Sequence, residues 1–139
     1  MTKPVGKLVY LASPYTHENP DILIQRFHEA VDCCGWLMNN VKNTCFYSPI
    51  AHTHPIALRC QLPIFWEFWK QFDECMLSRC SEIWVLKIDG WDKSTGVKAE
   101  LEIARKFGLP VVFIHKTENG YQRTISLDHS DENCFPTHR

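Results

Sequence analysis

Short apolar runs alternate along this chain with longer stretches of helical period, and that alternation constrains its fold most. Lys7–Ala12 (KLVYLA) is stopped by Ser13-Pro14. Three further runs of the same kind lie at Thr44–Tyr47 (TCFY), residues 82–88 (EIWVLKI) and residues 111–115 (VVFIH). Continuous apolar runs of this length suit strands covered on both faces. Between them, Leu23, Phe27, Ala30, Val31, Cys34 and Leu37 recur at helical spacing. With Asn19 as cap and Pro20 in the first turn, the spacing predicts a helix over residues 21–38.

A second, heavily aromatic helix is predicted over residues 64–79, carrying Phe65, Phe68, Trp69 and Phe72. A third is predicted over 96–107, stopped by Gly108 and Pro110. Residues 48–63 (SPIAHTHPIALRCQLP) read as a long loop, and long loops in compact domains are often functional. Asn119-Gly120 marks a turn, and residues 123–127 are a candidate fifth strand. The order βαβαβαββ predicts a single α/β domain over residues 1–139. Its core would span about 7–115, with a C-terminal hairpin and tail over 116–139. The architecture is a Rossmann-like or flavodoxin-like, mostly parallel sheet of about five strands with helices on both faces. In such sheets ligands bind beyond the carboxyl ends of the strands. That rule selects the loops at 13–19, 48–63 and 89–96.

Composition narrows the partners. Fifteen basic residues against 16 acidic ones leave a net charge of −1. Nothing in that balance attracts a nucleic-acid polymer or an anionic membrane. No apolar run is long enough for a membrane span, and the first residues lack a signal-peptide layout, so a cytoplasmic protein is expected. The seven cysteines (33, 34, 45, 60, 75, 80 and 134) form no CxxC pair and no zinc spacing. Buried, reduced thiols are expected, with neither metal nor cofactor.

Glu100 is the sharpest chemical candidate. With the apolar stripe of its helix on Val97, Leu101, Ala104 and Phe107, Glu100 falls about 60° from the stripe centre. A half-buried carboxylate is therefore expected one turn from a helix N-terminus, where the dipole favours the ionised form. Such a group suits a nucleophile or a cation stabiliser, and equally ordinary capping chemistry. Asp73 sits at the stripe edge of the aromatic helix, beside Trp69. Tyr10, near the end of the first strand, can hold a carboxylate by a hydrogen bond or simply fill the core.

Ser94 and Thr95 precede the third helix. They cap it or, with free N–H groups near Gly96, bind a phosphate. Asp89 crowds the same loop with Asp92. Ser13 ends the first strand. Arg26, His17, His52 and His54 are the available cationic or imidazole groups. His52 and His54 alone make a poor metal site, so contact with a base or phosphate, or no role, fits them better. Trp66, Trp69 and Trp91 bracket the region, as stacking surfaces for a flat base or as packing.

Three segments together resemble the nucleoside 2-deoxyribosyltransferase superfamily, which includes 2′-deoxynucleoside 5′-phosphate N-hydrolases. Residues 8–15 (LVYLASPY) are similar to its YLAGPY-type opening. Residues 73–85 (DECMLSRCSEIWV) resemble its helix with an aspartate, followed by a strand. Within residues 89–104, Gly96-Val97-Lys98-Ala99-Glu100 stands where the family has G-x-x-x-E. Phe46-Tyr47-Ser48-Pro49 is similar to its second strand and loop. The likeness covers residues 7 to about 114. It implies that Glu100 attacks C1′ of a deoxyribose, that Asp73 completes the site and that Tyr10 orients the glutamate. Ser94 stands where the transferases carry an Asp and the hydrolases a Ser, which tilts the expectation toward N-glycosidic hydrolysis of a 5′-monophosphate. Base exchange between nucleosides and a non-catalytic nucleotide-binding module are the alternatives. Ser13-Pro14 departs from a glycine in the family pattern, and the hydrolases' basic phosphate cluster has no clear match. The expected partners are a small nucleoside or nucleotide and further copies of the chain as a homo-oligomer.

Overall fold

The computed structural model describes residues 6–124. Strand β1 (Lys7–Ala12) leads into helix α1 (Pro20–Asn40) and strand β2 (Thr44–Tyr47). Helices α2 (Pro49–Cys60) and α3 (Trp66–Leu77) follow, then strand β3 (Glu82–Leu86). A single 3-10 turn (Trp91–Lys93) precedes helix α4 (Thr95–Lys106), and strands β4 (Val111–Thr117) and β5 (Gly120–Arg123) close the described chain. The fold is a small α/β domain around one five-stranded sheet of order β2-β1-β3-β4-β5. β2, β1, β3 and β4 run parallel, while β5 pairs antiparallel with β4, so the sheet is mixed.

Alternation along the strands divides the core. Val9 and Leu11 of β1, Trp84 and Leu86 of β3, and Val112 and Ile114 of β4 pack with Cys33, Cys34 and Leu37 of α1. Their neighbours Tyr10, Ala12, Ile83, Val85, Val111 and Phe113 face the other way, onto Leu77 of α3 and Val97, Leu101 and Ala104 of α4. The two-residue period of a strand therefore decides that Tyr10 meets α4 while Val9 meets α1.

Three helices start on a side chain of the expected capping type. Asn19 Oδ1 accepts from Asp21 N at 2.9 Å, Ser48 Oγ from Ala51 N at 3.2 Å and Ser94 Oγ from Val97 N at 3.2 Å. The Ser48 cap corrects the long loop expected over 48–63, where most of the segment is helix α2. Pro49 sits in the first turn, where its missing N–H costs nothing. Pro55 removes only one interior bond, and burial of Ile50 and Ala57 offsets it. Helix α2 ends at Gln61 in the left-handed region, φ 57°.

β3 ends two residues earlier than expected, because Ile88 N turns back to Leu86 O at 3.0 Å. β5 begins at Gly120 rather than Arg123, and the end of the expected strand (125–127) lies outside the described residues. The cysteines are also corrected. Cys33, Cys34 and Cys80 are buried free thiols, but Cys45, Cys60 and Cys75 are exposed free thiols. Cys134 lies outside the described residues. Among the described residues, no helix is long and apolar enough to cross a membrane.

Candidate active site

β1 lies between β2 and β3, so the chain leaves it in one direction and returns on its other side. That is the topological switch point, where loops from adjacent strands diverge and leave a crevice. A cavity of about 890 Å³ opens there. Ser13, Tyr15 and His17 after β1 line it, as do Asp89 and Asp92 after β3 and Ser94 and Gly96 at the start of α4. The segment leading into α3 and its first turns add Phe65, Trp66 and Trp69. Trp69 is fixed there, its Nε1 donating to Pro63 O at 2.8 Å.

Two carboxyls form the inner wall. Glu100 of α4 and Asp73 of α3 both line the cavity, at 5% and 6% exposure. The Tyr10 hydroxyl, fully buried beneath them, donates to Glu100 Oε2 at 2.5 Å. Sequence spacing predicts a half-buried, ionised Glu100, and the structure corrects this. Burial, and then the charge of Asp73, push Glu100 up to about 8 against the pull of the Tyr10 hydrogen bond. Burial likewise raises Asp73 to about 7, again opposed by the Tyr10 hydroxyl. The helix dipole acts from a full turn away and does not offset the loss of water around the carboxyl. Two carboxyls in one dry wall lose their protons in two steps, so the pair holds about one proton near neutrality. Tyr10 itself is pushed well up, by burial and by the two carboxyls.

Buried polar oxygens ordinarily have partners. Three in this region have none among the described residues: Asp73 Oδ1, Ser13 Oγ and Tyr47 Oη. Asp73 and Ser13 line the cavity. Tyr47, at the end of β2, packs its ring 5.7 Å from that of Tyr10. Its phenol is raised by burial, then by Asp73 and Glu100 among nearby acidic groups. The sequence reading passed over Tyr47. Its signal was the register that sets Tyr47 opposite Tyr10, and register follows only once strands are paired.

The remaining candidates divide. Arg26 reaches the cavity from α1, but Nη1 donates to Thr16 O at 2.8 Å and Nη2 to Asp89 O at 3.4 Å. Ser94 Oγ already accepts the Val97 N–H as the cap of α4. His52 and His54 do not reach the cavity, because helix α2 turns them away from it. His52 is exposed and stacks on Phe72, rings 5.0 Å apart. His54 is buried, stacked on Phe27 at 4.1 Å, with Nδ1 2.5 Å from the Tyr15 hydroxyl. Burial lowers its pKa, and His28 adds to this. Trp91 packs on Phe113 instead of bordering the cavity. Among the described residues, no cluster of three or more His, Cys, Asp or Glu could hold a metal ion.

Chemically, the arrangement offers one carboxyl steadied by a phenol, a second with a free oxygen, and an aromatic wall large enough for a flat ring. Residues 7–116 match a family model described as "Domain of unknown function (DUF1937)". No curated protein sequence matches the chain.

Proposed function

We propose, for a chain that belongs to the DUF1937 family, an enzyme that hydrolyses the N-glycosidic bond of a nucleoside or nucleotide. The observation that carries this reading is the Tyr10–Glu100 hydrogen bond beside the unpartnered Asp73 oxygen, at the wall of a cavity sized for a nucleoside. Its sheet order, flavodoxin-like apart from the antiparallel β5, puts that wall where α/β domains bind such ligands.

Glu100, as carboxylate, attacks C1′ while the bond to the base nitrogen breaks. Tyr10 holds the attacking oxygen and stabilises its charge. The reacting form is the one in which the proton shared by the two carboxyls sits on Asp73, which gives it to the departing base. Positive charge building on the sugar in an oxocarbenium-like state is met by the adjacent carboxylate. Water then attacks C1′, breaking the bond to Glu100, which is left as carboxylate, and its proton passes to Asp73. The resemblance to the nucleoside 2-deoxyribosyltransferase superfamily supports the same three roles.

Base release, followed by chromatography across ribo- and deoxyribonucleosides and their 5′-monophosphates, tests the reading. Glu100→Ala runs beside the wild type. Release that needs intact Glu100 is the expected result, and release unchanged in Glu100→Ala overturns it. Product carrying an added free base would convert the assignment to base exchange.

A further inference from the structure

The charges around the cavity are strongly unequal. Glu67, Asp89 and Asp92 line it, and the Asp73–Glu100 pair, which shares about one proton near neutrality, adds a further negative charge. Against them stand Arg26, Lys93 and the His17 imidazole, whose Nδ1 accepts from Asn19 N at 2.9 Å. Arg26 is engaged on both arms of its guanidinium by backbone carbonyls, which leaves Lys93, on the exposed rim, as the charged side chain and the first N–H groups of α4 at Thr95 and Gly96 as uncharged donors. A phosphate recognised in such a place needs unengaged guanidinium, ammonium or N–H donors to offset the carboxylates. A cation finds the reverse. Asp73 is 94% buried and presents Oδ1 with no partner at this wall, an acceptor already in place for a positive or hydrogen-donating group. Phe65, Trp66 and Trp69 border the same space, and aromatic rings next to carboxylates favour flat cations over neutral rings.

We propose that this cavity selects an N-glycoside whose base is a positively charged, N-alkylated heterocycle, in preference to the neutral nucleoside and its 5′-monophosphate. The inference rests on the glycosidic reading for its chemistry and on the cavity's charge for its selectivity. With such a substrate the C1′–N bond breaks and its electron pair passes to the ring nitrogen, cancelling the positive charge. The base leaves neutral and needs no proton. Glu100 forms the C1′–O bond, and water later displaces it, its proton passing to Asp73. The bound cation also favours the ionised forms of both wall carboxyls, drawing down the pKa values that burial raises.

Two matched pairs of probes, offered to the full chain, test this. Guanosine and 7-methylguanosine differ by one methyl group and one positive charge, as do nicotinamide and 1-methylnicotinamide. Guanosine 5′-monophosphate is the third comparison. Affinities are measured by calorimetry for all five probes, and base release is measured for the three N-glycosides, guanosine, 7-methylguanosine and guanosine 5′-monophosphate, against each one's rate without protein. At least one charged probe is expected to bind about tenfold or more tighter than its neutral partner. The preference should shrink in Glu67→Gln and Asp92→Asn and weaken with salt. Equal affinity within both pairs, or tighter binding of the 5′-monophosphate, overturns the proposal. Preferential binding of the cations without Glu100-dependent base release upholds the charge selectivity and removes the glycosidase reading. Glu100-dependent release from neutral guanosine alone does the opposite.

Discussion

The Tyr10 hydroxyl meets Glu100 Oε2 at 2.5 Å, across 90 positions of sequence. It ties the buried interior of β1 to the helix that carries the candidate nucleophile. Tyr10→Phe keeps the ring and removes the donor. Because the hydroxyl pulls the Glu100 pKa down, its loss moves that pKa further up. The acid limb of the pH–rate profile should therefore shift to higher pH. Activity near neutrality should fall about tenfold, with much of it regained in more alkaline buffer. An unshifted profile would show that Tyr10 serves only to fill the core.

The wall carboxyls also link stability to pH. Their folded pKa values lie above the unfolded ones, so the folded chain binds more protons than the unfolded chain. Their stabilising contribution is present below the unfolded carboxylate range and is lost as pH rises through about 7 and 8. Glu100→Gln and Asp73→Asn remove an ionisation that the fold opposes. Both variants should melt higher than wild type in alkaline buffer, the advantage fading toward about pH 4. Calorimetric scans across pH decide this, and an advantage that grows on acidification would reverse the argument.

Much of this was legible in the sequence, for identifiable reasons. β1 and α1 announce themselves, because Ser13-Pro14 stops a wholly apolar run and Asn19-Pro20 opens a periodic one. Glu100 was placed beside the core stripe from helical spacing alone. Its burial was underestimated because spacing gives an angle and not the depth of packing, and α3 closes over that angle from elsewhere in the chain. Helix α2 was misread although Ser48-Pro49 repeats the signal of Asn19-Pro20. Pro55 and two histidines masked the spacing of Ile50, Thr53 and Ala57. That error carried His52 and His54 into the candidate site, since a loop would have left them free to reach it.

Ser94 separates two roles. Its hydroxyl caps α4 through Val97 N, so Ser94→Ala should cost about 1 kcal/mol of stability. Any change in base release should then be shared by nucleosides and 5′-monophosphates alike. A loss confined to the 5′-monophosphates would instead assign the hydroxyl to phosphate recognition.

Gly120 gives a prediction remote from the cavity. Its φ is 141°, and a Cβ there would come within 2.3 Å of the Trp36 indole. Gly120→Ala should destabilise the domain by about 1–3 kcal/mol, read as a lower denaturant midpoint. The pH–rate profile should keep its midpoints, since the β4–β5 hairpin lies at the sheet edge away from β1.

Tyr10, Asp73 and Glu100 belong to three different segments, on β1, α3 and α4, and no two are neighbours in sequence. On the proposed reading, a chain still being synthesised holds no assembled site until α4 has docked, and neither does a fragment cut between α3 and α4. Base release, where the proposed reading holds, would thus report native assembly directly, without a dye or label, and its recovery after dilution from denaturant would time the docking of α4.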